Sequence, residues 1–200
     1  NDPYSCSKAM VERLVKIYLN RIYRNTSIGL ASVRAGNVIG GGDFSENRII
    51  PDIIKHILKK KKITLRNPES YRPWQHVFDV LSGYLNLGIK LSKNKNKFSG
   101  PYNFGPKIKK NYTVLKLTQK FLDKLLKNKY KIEFNKSNLF ETDYLNINSS
   151  KSRTKLNWET KYPGTKMIEK TIVWYKTFIN EPSKIEKFSQ KQFLDYFSER

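Results

Sequence analysis

The chain is 200 residues long, with 38% hydrophobic, 13% aromatic and 28% charged residues and a formal net charge of +22. That length can bury a core of one or two domains, and the aromatic content argues against a disordered chain. No apolar run approaches a membrane span and no signal peptide opens the chain, while the single cysteine excludes an internal disulfide and points to a reducing, cytoplasmic setting.

Between Tyr4 and about Tyr23, Met10, Leu14, Ile17, Tyr18 and Ile22 recur at helical spacing and predict a long helix. Tyr4 and Lys8 stand four residues apart, on one face of it. A phenol and an ammonium side by side form a proton-transfer pair, because the cation favours the phenolate and so lets the phenol act as a general base. The same spacing also arises where a lysine stem covers a half-buried ring. Cys6, turned away from Lys8, is expected to be a buried or semi-exposed neutral thiol.

Gly29 to Ile39 is rich in small and β-branched residues and predicts a buried strand that runs out into Gly40-Gly41-Gly42. Open α/β sheets place their ligands at such strand ends. Pro51 suits the first turn of a helix reaching Ile57 and Leu58, with Lys59 to Lys62 at its C-terminal end, where cations complement the dipole. Ile63-Thr64-Leu65 and Gln75-His76-Val77 are expected as short strands, and Asp79 to Leu91 as a core helix. A lysine and asparagine loop, Ser92 to Lys97, leads to the strand Tyr102-Asn103-Phe104, closed by Gly105-Pro106. There follow a helix over Val114 to Leu126, a strand over Lys131 to Phe134, and helices over Lys151 to Leu156 and Met167 to Ile179. The tail after Pro182 is weakly patterned, with at most a short helix near Phe193. Alternating helices and short strands argue for an α/β fold.

The positive charge is mostly lysine and is spread along the chain, which reads as a solvated surface rather than a specific nucleic-acid site. Such a field still favours anionic ligands. Two histidines without cysteine partners do not suggest a metal centre.

Tyr4 and Lys8, then Ser32-Val33-Arg34-Ala35-Gly36-Asn37-Val38-Ile39-Gly40-Gly41-Gly42-Asp43, then Leu65-Arg66-Asn67-Pro68 and Arg72-Pro73-Trp74-Gln75-His76-Val77 come in the order of one family. The chain resembles the extended short-chain dehydrogenase/reductases, and within them the branch that dehydrates CDP-glucose. The wording Arg72-Pro73-Trp74-Gln75-His76-Val77 favours that branch over the dTDP-glucose dehydratases; these and the nucleotide-sugar epimerases are the nearest enzyme alternatives. A non-catalytic basic binding module is the alternative outside enzymology.

The resemblance implies an α/β chain from the C-terminal part of a Rossmann-type fold. Residues 1–38 would be the back half of the NAD-binding domain. Residues 39–180 would form mainly a lobe for the nucleotide sugar, with elements returning to the sheet, and residues 181–200 a tail. It also implies NAD as cofactor, CDP-glucose as substrate and a homodimer in the full-length protein. Tyr4 would be the base for the sugar C4 hydroxyl, and Lys8 would support it and bond the nicotinamide ribose. Asn37, Arg48 and Arg72 would hold the nucleotide sugar near its diphosphate, and Asn103 its nucleotide portion. Arg34 fits a buried strand arginine paired with a carboxylate as well as it fits a site residue, and His76 a satisfied core histidine. Asn157 stands where the family has glycine. The chain opens inside a motif and lacks the glycine turn for a dinucleotide and the acid and base for elimination, so it reads as a fragment. By itself it is expected neither to hold NAD nor to turn over substrate.

Overall fold

Asp2 and Pro3 start the first helix: the Asp2 carboxylate accepts from the Ser5 amide at 2.9 Å and from the Ser5 hydroxyl at 2.6 Å, and proline needs no amide partner there. The computed structural model describes residues 2–107, 112–126, 130–135 and 142–198. The elements in its first part are α1 (Pro3–Ile17, continued by a wider turn over Tyr18–Ile22), β1 (Ala31–Ala35), β2 (Val38–Ile39), α2 (Ile49–Leu58), β3 (Ile63–Leu65), β4 (Tyr71–Arg72) and β5 (Gln75–His76). Next come α3 (Val77–Lys93), α4 (Lys95–Phe98), β6 (Gly100–Phe104), β7 (Tyr112–Thr113) and α5 (Val114–Leu126). The last are β8 (Ile132–Phe134), α6 (Ser150–Leu156), α7 (Thr165–Asn180) and α8 (Ile185–Ser198).

The chain divides into two units, the first comprising Asn1–Ala35, Val80–Gly105 and Ile147–Glu159. In it, β1 and β6 pair in parallel, with Ala31 opposite Gly100 and Ala35 opposite Phe104. A parallel pair needs a crossover, and the segment between these strands is long enough to supply one. The core of this unit is Leu87, Phe98, Tyr102, Phe104, Leu156 and Trp158, with Phe104 and Trp158 edge-to-face at 5.0 Å. Asn157 ends α6 at φ 53°, in the left-handed region that asparagine tolerates better than most residues with a side chain.

The second unit comprises Gly36–Asp79, Pro106–Asn146 and Thr160–Arg200. Its ladders are β2 with β5 and β3 with β8, both parallel, and β4 with β7, antiparallel. Its core gathers isoleucines of α2, Leu117, Phe121 and Leu122 of α5, and Met167, Ile168, Ile172 and Trp174 of α7 around Tyr162, Tyr175 and Tyr196. Trp174 stacks on Phe178 and donates its indole N–H to Ser189 Oγ at 2.8 Å, tying α7 to α8. Asp79 is buried, and its Oδ1 accepts from the Tyr196 hydroxyl at 2.8 Å and the Lys161 amide at 2.7 Å. Burial pushes its carboxyl above the ordinary range, opposed by these bonds.

Four expectations need correction. Gly29 to Ile39 is two strands, and the chain changes ladder at Gly36-Asn37. A side chain at Gly36 would collide with the Pro73 carbonyl, so only glycine admits that approach. Nor is β1 buried throughout, since Val33 and Arg34 are exposed. The Ser92 to Lys97 loop is shorter than expected, because α3 reaches Lys93 and Asn94 caps α4 by accepting from the Lys97 amide. The tail contains a 14-residue helix, α8, anchored by fully buried Tyr196. Cys6 is exposed, because α1 has no buried residue.

No helix of the described residues is long and apolar enough to cross a membrane.

Candidate active site

In the first unit, α1 brings Tyr4 and Lys8 together as their spacing requires: Lys8 Nζ lies 5.4 Å from the centroid of the Tyr4 ring. Tyr4 is 71% exposed, so its hydroxyl is open to a ligand. Across the turn from Lys8, Glu12 is bound at both oxygens, by Ser32 Oγ at 2.8 Å and Arg34 Nε at 3.2 Å. Arg34 is therefore the carboxylate-paired strand arginine, although half exposed rather than buried. Asn103, opposite Arg34 in the β1–β6 register, donates its side-chain N–H to the Asn148 carbonyl at 3.0 Å. Its Oδ1 is buried without a hydrogen-bond partner among the described residues, which leaves an acceptor to be met.

In the second unit, a cleft of about 220 Å³ is lined by Asn37, Arg48 and Arg72, three of the four substrate residues expected from sequence. Local structure explains each. The Asn37 carbonyl accepts the Gln75 amide at 2.9 Å, continuing the β2–β5 ladder and fixing the start of the strand. Arg48 is the N-cap residue of α2 with extended backbone and no side-chain capping bond, and Ile49, Ile50 and Pro51 also line the cleft. The positive end of the helix dipole thus borders it. Arg72 is only 8% exposed, and its Nη1 donates to the carbonyls of Tyr71 at 3.0 Å and Thr142 at 2.7 Å. Arg72 is therefore both part of the cleft wall and a clamp on the segment at Thr142. Asn103 belongs to the first unit and does not line this cleft.

Two lining residues were not singled out from sequence. Arg66, just after β3, donates to Asn47 Oδ1 at 3.0 Å, and Asn47 holds a left-handed φ of 59°. Three guanidiniums, Arg48, Arg66 and Arg72, then stand against the carboxylates of Asp43 and Asp52, leaving the cleft suited to an anion. The signal was present in the run Leu65-Arg66-Asn67-Pro68 and in Asn47 beside Arg48. The glycine loop is held from behind: Tyr175 donates its hydroxyl to the Asp43 carbonyl at 2.6 Å, and Trp174 packs where a Gly41 side chain would stand. His76 departs from the satisfied histidine expected of it. It is fully buried, its Nδ1 accepts from the Phe78 amide at 3.2 Å, and its Nε2 has no hydrogen-bond partner among the described residues.

A family model described as GDP-mannose 4,6 dehydratase matches residues 1–171. The chain belongs to the GDP-mannose 4,6 dehydratase family. Within this family's reach, it is 34% identical to CDP-glucose 4,6-dehydratase of Salmonella typhimurium strain LT2, over 98% of the chain and 56% of that protein. It is 25% identical to dTDP-D-glucose 4,6-dehydratase of Dictyostelium discoideum, over 88% of the chain and 45% of that protein. The chain thus spans about half the length of the curated relatives it matches. Among solved structures, dTDP-glucose 4,6-dehydratase from Bacillus anthracis, in complex with NAD, superposes with a TM-score of 0.71 at 26% identity, covering 91% of this chain and 54% of that one. UDP-glucuronic acid 4-epimerase from Bacillus cereus shares the fold, with a TM-score of 0.72 at 21% identity, over 88% of this chain and 53% of that one. The α/β fold is that of the extended short-chain dehydrogenase/reductases, as the resemblance implied.

Proposed function

We propose that the whole protein carrying this chain is an NAD-dependent nucleotide-sugar 4,6-dehydratase that converts CDP-glucose to CDP-4-keto-6-deoxyglucose. The observation that carries this reading is the cleft in which Asn37, Arg48 and Arg72 meet at the positive end of α2. Three guanidiniums and open helix amides match the doubly charged diphosphate of a sugar nucleotide. The 34% identity to a CDP-glucose 4,6-dehydratase supports cytidine over thymidine.

NAD, when bound, would supply the hydride acceptor at C4 and the donor that returns the hydride at C6. Tyr4 and Lys8 fit such a group, since an exposed phenol and ammonium are both free to meet it. Tyr4 takes the proton of the C4 hydroxyl. Lys8, beside the Tyr4 ring, would donate to the nicotinamide ribose. In the cleft, Arg72 and Arg48 grip phosphate oxygens and Asn37 bonds the substrate near the diphosphate; Asn103, in the first unit and outside this cleft, is the residue the resemblance assigns to the nucleotide portion. The dinucleotide turn and the acid and base of elimination are supplied outside these 200 residues, so the chain by itself holds no NAD and makes no product.

The first unit would then complete the NAD-binding domain, contributing residues 1–35 of the expected back half 1–38, and the second would be the nucleotide-sugar lobe. Exposed Met10, Leu14, Ile17 and Tyr18 on α1 support a homodimer in the full-length protein. A cytoplasmic location follows from the reducing setting a lone cysteine suggests.

The experiment is to incubate the full-length enzyme with CDP-glucose and with dTDP-glucose in heavy water and to analyse the sugar by NMR. The reading expects a 4-keto-6-deoxy product from CDP-glucose with deuterium at C5, and a loss of kcat on the order of 10²- to 10⁴-fold in Tyr4→Phe. A 4-epimer in place of that product, preference for dTDP-glucose, or turnover by the 200-residue chain alone would refute it.

A further inference from the structure

The helix that carries the proton-transfer pair has no buried side chain, so apolar packing within the described residues does little to fix its rotation. One side chain ties it down at two points. Glu12 lies four residues beyond Lys8 and eight beyond Tyr4, on the same face. Its Oε2 accepts from Ser32 Oγ at 2.8 Å, and its Oε1 meets Arg34 Nε at 3.2 Å. Ser32 and Arg34 are alternate residues of β1 and so point to the same side of the strand. Two bonds to two places along a strand resist both rotation of the helix about its axis and sliding along it, which one bond would not.

We propose that Glu12 is a positioning residue that sets the rotation of α1 on β1 and thereby the direction in which Tyr4 and Lys8 project. Its kinetic consequence rests on the assignment of Tyr4 and Lys8 above; its structural consequence does not. The ion pair is half exposed at Arg34, so Glu12 contributes little to overall stability while deciding where the pair points.

Cys6 is the single cysteine of these 200 residues and is exposed on α1, so a nitroxide attached there in this chain reports the helix directly. In Glu12→Ala the label's EPR spectrum moves towards faster motion, while Glu12→Gln, whose carbonyl oxygen can accept from Arg34 Nε and whose amide N–H can donate to Ser32 Oγ, stays near the parent. In the unlabelled full-length enzyme, Glu12→Ala lowers kcat by roughly 10- to 100-fold, leaves KM within about twofold, and Glu12→Gln recovers most of the rate. An unchanged spectrum in Glu12→Ala overturns the proposal, as does an unchanged kcat or an effect on KM alone. If Glu12→Ala fails to fold, Ser32→Ala and Arg34→Gln each remove one of the two bonds, and each must loosen the label; unchanged spectra in both overturn it. An enzyme that converts no nucleotide sugar refutes the assigned function instead, and the spectra alone then decide the role of Glu12.

Discussion

Tyr4 and Arg72 are held in opposite ways. Tyr4, in the first unit, is 71% exposed on a helix that buries nothing, whereas Arg72, in the second, is 8% exposed and shares one guanidinium nitrogen among backbone carbonyls. The difference teaches that the group proposed for chemistry can be replaced without disturbing the fold, while the group proposed to grip the ligand is also part of the wall that shapes its own cleft.

That contrast makes the largest expected effect a stability difference. Arg72→Ala removes a charged donor from the Tyr71 and Thr142 carbonyls and should cost about 1.5–3 kcal/mol in denaturant unfolding. Tyr4→Phe should stay within about 0.5 kcal/mol of the parent. Arg72→Lys should rescue little, because a point charge cannot reproduce the fork. Equal losses at both positions would erase the distinction between the units.

A second test sharpens the buried character of the second unit. Burial, and then the positive charge of Lys170, lower the His76 pKa to about 3. The unfolded chain takes up a proton below the ordinary value near 6.5 and the folded chain does not. The stability His76 contributes is therefore complete above about pH 6.5 and is lost as pH falls towards 3, reaching a loss of about 2 kcal/mol at pH 5. Asp79, raised by burial, works in the opposite sense at the acid end. Urea unfolding of the parent and of His76→Gln at matched pH separates the two: the parent should lose more stability between pH 7 and 5 than the variant. Parallel losses would mean that His76 is not the titrating group. The smallest effect is expected in the first unit, where Asn157→Gly relieves a left-handed φ of 53° and should stabilise by about 0.5 kcal/mol in the same assay.

Local signals carried most of the elements. Tyr4 and Lys8 were legible because four residues of helix place them without help from the rest of the chain. The helix over Val114 to Leu126 matched its apolar spacing. What escaped depends on distant partners. The two-residue strands β4 and β7 exist through the pairing of Arg72 with Tyr112, which no local pattern encodes. The last helix buries only Gln192 and Tyr196 while Phe193, Leu194 and Phe197 stay exposed, so it shows no clean stripe. The break of the expected strand at Gly36 reflects the close approach of the Pro73 carbonyl, a contact between segments far apart in sequence. In the cleft, Asn37, Arg48 and Arg72 were found through resemblance. Arg66 was passed over because its link to Asn47 spans 19 residues.

The central claim is that the arginine cleft of the second unit holds a nucleotide-sugar diphosphate. An NMR titration of the isotope-labelled chain with CDP-glucose tests it most directly. The account predicts that the signals of Asn37, Arg48, Arg66 and Arg72 move together with one saturating affinity, and that glucose alone leaves them in place. Saturation with those four signals unmoved, or movement confined to lysines scattered over the surface, would contradict it.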